Sequence, residues 1–245
     1  TKQDEKKEAQ ALDLSEAAAK VFHCIEENDA VSISCQGVDA TVLHEFPVHV
    51  PKRVWKELGE AIQVRENVPL VSIPADHWIS LRCDGNNFGK LKTKLTYTHK
   101  ILESEYWSPS FSNIMVACCH ALMEFFDSKY GYTQSDEITV LLSPTTSKHG
   151  TQQPHKHAGR KQKLCSLAAS VVSTTFNMEL IKLCRQVDIG NFDVHATAIF
   201  DCRVGSYESR EEAASLLLWR AYDCGINGVS DAIYNMCKKN IQGAQ

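Results

Sequence analysis

The chain has 245 residues, 43% of them apolar and 23% charged, with twelve Gly and seven Pro. That balance excludes disordered, collagenous and fibrous classes and leaves room for one large domain or one and a half, burying roughly 70–75% of the unfolded surface. A net charge of −4 weighs against a globally basic nucleic-acid binder, so a polyanionic partner would need a local cationic stripe.

In chain order, Leu14, Ala18, Val21, Phe22 and Ile25 recur at helical spacing and predict one amphipathic helix near the start. Two short strands, Val31–Cys35 and Thr41–Phe46, are expected around a turn at Gly37. A second helix opens at Pro51, a favoured first-turn residue, with Val54, Leu58, Ala61 and Ile62 facing inward. Trp78 to Cys83 alternates as a half-buried strand and runs into Asp84-Gly85. A helix from about Ser112 to Ser128 places Ile114, Met115, Cys118, Leu122, Phe125 and Phe126 on one stripe, and Gly131 is read as its end. Ile138–Leu142 is the next strand, followed by a loop from Pro144 to Gly159. A long helix then turns Leu164, Leu167, Val171, Phe176 and Leu180 inward, and Val194, Ala196, Ala198 and Phe200 alternate as a strand. Ser209 and Glu212 form a capping-box pattern before a last helix, with Gly225 as its expected stop. The sum is an α+β domain over residues 74–245 with a mostly antiparallel sheet, preceded by an extension, residues 1–73, that is either an appendage for partners or substrate or a plain extra layer.

Ten cysteines are spread evenly, mostly within apolar runs, and no C-x-x-C pair exists. Reduced, buried thiols fit this better than a zinc site or a disulfide scaffold. The first eight residues mix Lys with Asp and Glu and lack the apolar core of a signal peptide. No apolar run approaches the ~20 residues of a spanning helix. These readings give the expectation of a soluble intracellular protein, cytoplasmic or mitochondrial, without a membrane partner.

Two acidic sites carry chemistry. Asp84 ends an apolar strand just before Gly85, and Asp136-Glu137 lies in a tight turn before another strand. Oxygen ligands converging from rigid strand ends suit Mg²⁺, and two such ions ~3.5–4 Å apart clamp an attacking and a leaving oxygen. D-G is also a hairpin signal by itself, so spacing alone leaves both readings open. Asp84-Gly85-Asn86-Asn87-Phe88 resembles the D-G-R-x-F motif of the tRNA(His) guanylyltransferase superfamily, the 3′–5′ polymerases. Gly131 to Glu137 resembles its Y-G-Q-S-D-E, with the Pro109–Phe126 segment matching the intervening helix. Arg160 to Ser166 resembles R-x-x-K-L-x-S, with Thr175-Phe176 in step behind it. Phe200-Asp201-Cys202-Arg203 resembles F-D-G-R, and Trp219 to Cys224 resembles W-R-Q-x-D-C. Singly these matches are weak; their order is specific.

The resemblance implies a polymerase- or cyclase-type palm with antiparallel sheet and packed helices. Asp84 and Asp136 become the carboxylates for two Mg²⁺ ions, the Gly85 carbonyl a third ligand, and Glu137 an acidic neighbour in the catalytic set. Backbone N–H groups of Asn87, Phe88 and Gly89 would hold a triphosphate, and Ser135 would bond a phosphate oxygen. Arg160 and Lys163 share a helix face and would reach one phosphate, supported by Ser166. By themselves these three residues read as a solvated helix face. The implied reaction activates a 5′-monophosphorylated tRNA end with ATP to a 5′-adenylylated intermediate. The 3′-hydroxyl of an incoming nucleotide, commonly GTP, then displaces AMP, and pyrophosphate is removed where a monophosphate end is needed. ATP, GTP and other nucleoside triphosphates are thus substrates, the tRNA acceptor end is the partner, and a homotetramer is implied.

Three departures mark a branch within that family. Asn86 replaces the Arg and Gly89 the His of D-G-R-x-F-H, Cys202 replaces the Gly of F-D-G-R, and Gly225 to Asp231 keeps only Ile226 and Asn227 of H-I-N-N-L-Y-N. That pattern resembles the like-protein branch, which implies template-dependent tRNA 5′-end repair rather than dedicated G₋₁ addition to tRNA(His). A non-catalytic RNA-binding scaffold on the same palm is the main rival, and a nucleotide cyclase shares the carboxylate logic. Lys90, Lys92, Lys94 and Lys100 form one basic run; Lys148, Lys156, Arg160, Lys161 and Lys163 form another, around His149, His155 and His157. The second run fits RNA or triphosphate contact better than zinc.

Overall fold

The protein is seen here as a computed structural model that describes residues 13–27, 50–104, 108–146, 150–186 and 197–242, with residues 26, 27, 186 and 230–242 described by backbone alone. Two compact units are present, one of residues 1–65 with 214–245 and one of residues 66–213. The second holds a four-stranded sheet: β1 (Trp78–Gly85), β2 (Tyr130–Gln134), β3 (Glu137–Leu142) and, after a two-residue hairpin β4 (Thr145–Thr146) and β5 (Gln152–Gln153), β6 (Phe200–Tyr207). The strand order is β2-β3-β1-β6 and each neighbouring pair is antiparallel. The helices are α1 (Leu14–Glu27), α2 (Lys52–Asn67), α3 (Phe88–Thr93), α4 (Pro109–Phe126), α5 (Lys161–Gln186) and α6 (Arg210–Gln242), with one π-helical turn at Lys94–Thr98. The fold class is α+β.

One sheet face is apolar because alternate residues of each strand are. Ile79, Leu81 and Cys83 of β1, Ile138, Val140 and Leu142 of β3, and Phe200 and Val204 of β6 join a single buried cluster with α4 and α5. On α5 the buried residues recur every fourth position, Leu164, Ala168, Val172, Phe176, Leu180 and Cys184, so one narrow stripe meets the sheet. Each large side chain buried there contributes roughly 1.5–3 kcal/mol before ordering costs. α4 begins where Ser108 Oγ accepts the Phe111 amide at 3.2 Å with Pro109 in the first turn, and stops at Asp127 in a left-handed conformation. α5 is long and apolar enough to cross a membrane, but its stripe is the core of this unit.

In the other unit, α1 and α2 bury Leu14, Ala18, Val21, Trp55, Leu58, Ala61 and Ile62. Trp55 stacks on Tyr222 of α6 with ring centroids 4.5 Å apart. The Trp219–Cys224 stretch is therefore partly a packing element through Tyr222, and Arg220 pairs with Asp223 at 3.2 Å.

Several local expectations are corrected. Gly131 does not end the α4 unit but lies within β2. A Cβ there would come within 2.4 Å of Met123 Sδ and 2.8 Å of Cys119 Sγ, so glycine is what lets β2 pass over α4. α4 opens at Pro109 rather than Ser112, and Phe125 is 40% exposed rather than on the inner stripe. Leu167 and Val171 flank the α5 stripe instead of forming it. The last strand begins at Phe200 and runs through Tyr207; Ala198 precedes it, while Val194 and Ala196 lie outside the described residues. Gly225 does not stop α6, which continues to Gln242, since an exposed helical glycine weakens a helix without breaking it. The strands expected at Val31–Cys35 and Thr41–Phe46 also lie outside the described residues. The Ser209–Glu212 capping box is present: Ser209 Oγ accepts the Glu212 amide at 3.1 Å, and Glu212 reaches back to the Glu208 amide at 2.9 Å. The eight described cysteines carry no disulfide, and burial pushes the Cys118 thiol up to about 12.

The opposite sheet face buries polar groups. Arg82 of β1 donates to Glu66 at 2.8 and 2.5 Å and to Glu137 at 3.3 Å, and all three side chains are less than a tenth exposed. Burial, the largest influence, disfavours the guanidinium charge, but the two carboxylates outweigh it and hold Arg82 more firmly protonated than usual. Removing the shared cation leaves two buried carboxylates without compensation. Arg82→Met is expected to lower unfolding stability by about 3–5 kcal/mol in urea titrations, and Arg82→Met/Glu66→Met to recover part of that loss.

Candidate active site

The register of the sheet brings three acids into one row. Asp84 of β1 is opposite Glu137 of β3 on one side and Asp201 of β6 on the other. The next row on that face is Thr139, Arg82 and Arg203, so negative charge gathers at the strand ends and positive charge lies one step inward. Like charges directly opposite one another repel. Accordingly burial first, then the charges of Asp136 and Asp201, push the Asp84 carboxyl above its ordinary range, with Arg203 and Arg82 opposing.

Backbone bonds fix the turn after Asp84 from both sides. The Gly85 amide donates to the Asp136 carbonyl at 3.1 Å and the Asn86 amide to the Ile199 carbonyl at 2.8 Å. Asp136 is thereby held beside the end of β1, and its carboxylate accepts from Ser135 Oγ at 2.9 Å, Ser135 itself having a left-handed φ of 47°. A Cβ on Gly85 would fall 2.3 Å from Phe88 Cδ2, so glycine allows the Phe88 ring to fold beneath the turn. That ring is 2% exposed and meets Phe111, Phe176 and Phe200 at centroid distances of 6.1, 5.2 and 4.8 Å. Phe88 can therefore offer a ligand only its backbone. Asn87, with φ 58°, turns the chain into α3, where the first return bond runs from the Leu91 amide to the Asn87 carbonyl at 3.2 Å. The amides just before it have no partner within the helix, and a Cβ on Gly89 would meet nothing within 4 Å.

The remaining expected site residues fall into two groups. Glu137 is in the acid row, but its carboxylate is engaged by Arg82, so it differs from the half-buried Asp84 and Asp136. Arg160, Lys163 and Ser166 are exposed at the start of α5, where Arg160 Nε donates to the His157 carbonyl at 3.4 Å and Ser166 Oγ to the Lys163 carbonyl at 3.1 Å. Among the described residues their hydrogen bonds are local and do not bring them to the acid row. His149 and Lys148 lie outside the described residues, while His155 Nε2 is bonded to the His77 carbonyl at 2.8 Å and its ring is buried. Asp201, exposed in the same row, is a site residue that the sequence alone does not single out. Its signal was available: the F-D-x-R match and strand alternation put it on the face of Asp84. α5 positions it, because Ser173 Oγ accepts the Phe200 amide at 3.0 Å and Asn177 brackets Ala198 with bonds of 2.8 and 2.9 Å.

Among the described residues no three His, Cys, Asp or Glu side chains form a ready cage for a metal ion. The donor chemistry nevertheless suits a hard divalent cation: carboxylates of Asp84 and Asp136, a carbonyl at Gly85, and excess negative charge felt by Asp84. Such a set leaves positions open for phosphate oxygens and water.

A sequence model of the tRNAHis guanylyltransferase family matches residues 63–208. An uncharacterized protein of Acanthamoeba polyphaga mimivirus is 29% identical over 170 residues, which are 64% of this chain and 55% of that protein. The chain thus spans about half the length of that curated relative. A bacterial tRNA(His) guanylyltransferase-like protein in complex with GTP has a similar fold, with a TM-score of 0.53 and 23% identity over 71% of this chain and 73% of that one. A second such bacterial structure, in complex with ATP, gives 0.50 and 21% over 68% and 64%.

A raised carboxyl binds its proton more tightly in the folded than in the unfolded chain, so Asp84 costs stability as pH rises from the ordinary carboxylate range to its raised value, and the cost persists above it. Asp84→Asn is therefore expected to raise Tm at pH 7 without divalent cations, and the advantage to shrink on acidification through that window. Added Mg²⁺ should raise the Tm of wild type more than that of Asp84→Asn. Calorimetric scans at several pH values, with and without Mg²⁺, read both effects.

Proposed function

The chain belongs to the tRNAHis guanylyltransferase family, and from that premise we propose that it is a Mg²⁺-dependent 3′–5′ nucleotidyltransferase that repairs or edits tRNA 5′ ends. The observation that carries this reading is the convergence of Asp84, Asp136 and Asp201 at the ends of adjacent strands, beside a turn held by backbone bonds. The 5′-phosphate of a monophosphorylated tRNA end attacks the α-phosphorus of ATP, which releases pyrophosphate and leaves a 5′-adenylylated end. The 3′-hydroxyl of an incoming nucleoside triphosphate, GTP among them, attacks the 5′-phosphorus and displaces AMP, and water then cleaves the α–β bond of the new 5′-triphosphate to release pyrophosphate where a monophosphate end is required.

Asp84 and Asp136, with the Gly85 carbonyl, would hold the two Mg²⁺ ions, which supply Lewis-acid neutralisation of phosphate charge when bound. The chain's own groups do the rest. The amides of Asn87, Phe88 and Gly89 donate to triphosphate oxygens from a backbone that Phe88 packing keeps fixed, which favours in-line positioning. Ser135 orients the Asp136 carboxylate through its 2.9 Å bond and is close enough in sequence to meet a phosphate oxygen. Glu137 acts through Arg82, as an acid that positions this strand end. Arg160 and Lys163, with Ser166 in support, bind a substrate phosphate from the α5 start.

Repair is favoured over G₋₁ addition because the Gly225–Asp231 stretch lacks most of H-I-N-N-L-Y-N; Gly225–Val229 is exposed along α6, with Asn227 bonded to Asp223 at 3.2 Å. A homotetramer in the cytoplasm or mitochondrion completes the reading. The test uses 5′-³²P-labelled tRNA lacking its first nucleotide, with ATP, the four NTPs and Mg²⁺. Adenylylated and extended products are expected from wild type, and Asp136→Ala should lower their rate on the order of 100- to 1,000-fold. Equal rates would contradict catalysis at this site, and extension that ignores the opposing base would contradict repair.

A further inference from the structure

The basic run Lys90, Lys92, Lys94 and Lys100 has no part in the reaction as described above. Between Gly85 and Leu102 the chain carries these four lysines and no Asp or Glu. The segment is α3 followed without interruption by the π-helical turn Lys94–Thr98, a form often associated with functional positions. Phe88, Leu91 and Leu95 are buried along one side. Lys90 and Tyr97 are exposed and Lys94 is half-exposed, away from those buried residues. Lys92 has its Nζ 5.0 Å from the centroid of the Phe111 ring. Tyr97 is 63% exposed, more than the other exposed aromatic rings among the described residues, Tyr130 and Phe125, at 41% and 40%. An exposed ring of this size between cations would be a poor choice for a solvated helix face. It is well suited to a base with phosphates on either side.

We propose that the outer face of α3 and its π-helical turn is an RNA-strand platform, on which an unpaired base stacks on Tyr97 while neighbouring phosphates lie along Lys90 and Lys94. It rests on the reading that the substrate is an RNA end. The face starts four residues after the Asp84-Gly85-Asn86 turn, so a strand lying on it leads to the carboxylates. In a chain of net charge −4, an acid-free segment with four lysines meets a polyanion with little local repulsion. Stacking on an aromatic face tolerates any base, which suits an enzyme whose base choice comes from an opposing strand.

Binding is tested apart from chemistry, by fluorescence anisotropy of a 3′-fluorescein, 5′-monophosphorylated 12-nucleotide RNA, without NTPs or Mg²⁺. Tyr97→Ala is expected to weaken binding roughly tenfold and Tyr97→Phe to leave it near wild type. Lys90→Ala/Lys94→Ala should reduce the slope of log K against log salt by about 1.4, since a single-strand phosphate contact is worth about 0.7. Circular dichroism melts should match wild type for Tyr97→Ala, because the ring is exposed. Absence of wild-type binding, or wild-type behaviour of Tyr97→Ala or of the lysine pair, overturns the proposal. A wild type that binds through this face yet transfers no nucleotide keeps the platform and loses the reaction. Transfer in which Tyr97→Ala leaves the KM for RNA unchanged loses the platform alone.

Discussion

Arg82 sets the electrostatics of the sheet. It stands in the central region of β1, buried, with Glu66 on one side and Glu137 diagonally across on β3. Without it, the same face would hold Glu66, Glu137, Asp84 and Asp201 with only the exposed Arg203 in opposition. Carboxylates of that density, Glu66 and Glu137 among them buried, would protonate or force the strands apart. By taking up Glu66 and Glu137, Arg82 confines uncompensated negative charge to the strand ends. Half-buried Asp84 and Asp136 and exposed Asp201 are left there, open to a ligand, and like-charge repulsion favours a cation.

The two faces of the sheet divide the work. The helix face supplies stability through regular apolar spacing, the fourfold stripe of α5 and the aromatic cluster around Phe88. It also acts on the other face. Ser173 and Asn177 project from α5 to hold the chain entering β6, and so set where Asp201 falls. Phe88 anchors the turn after β1 from below, so the amides at Asn87 to Gly89 share the rigidity of the core. Packing thus positions groups that touch no apolar neighbour themselves.

Sequence patterning revealed what depends on local periodicity and on motif order. β1, β3, α4, α5 and the Ser209–Glu212 cap were all legible this way, as was the pairing of Asp84 with Asp136. It failed where tertiary contact decides. Gly131 looked like punctuation because a glycine after a helix usually is, yet its role is to clear Met123 and Cys119 in a strand. Gly225 misled in the opposite direction, since nothing nearby makes use of it. The partner of Glu137 could not be read, because Arg82 lies 55 residues earlier and only the β1–β3 register joins them. Asp201 was visible as part of a motif, but its role required knowing that β6 pairs with β1.

Under the proposed function, the strand-end carboxylates bind a divalent cation together with a nucleoside triphosphate. The most direct measurement is an electron paramagnetic resonance titration with Mn²⁺ as the probe for Mg²⁺, carried out with a non-hydrolysable ATP analogue on wild type and on Asp84→Asn/Asp136→Asn. Wild type is expected to take up Mn²⁺ beyond what the nucleotide alone binds, and the double variant to lose that uptake while keeping a cooperative unfolding transition. Identical Mn²⁺ binding by the two proteins would show that the strand-end carboxylates are not the metal site.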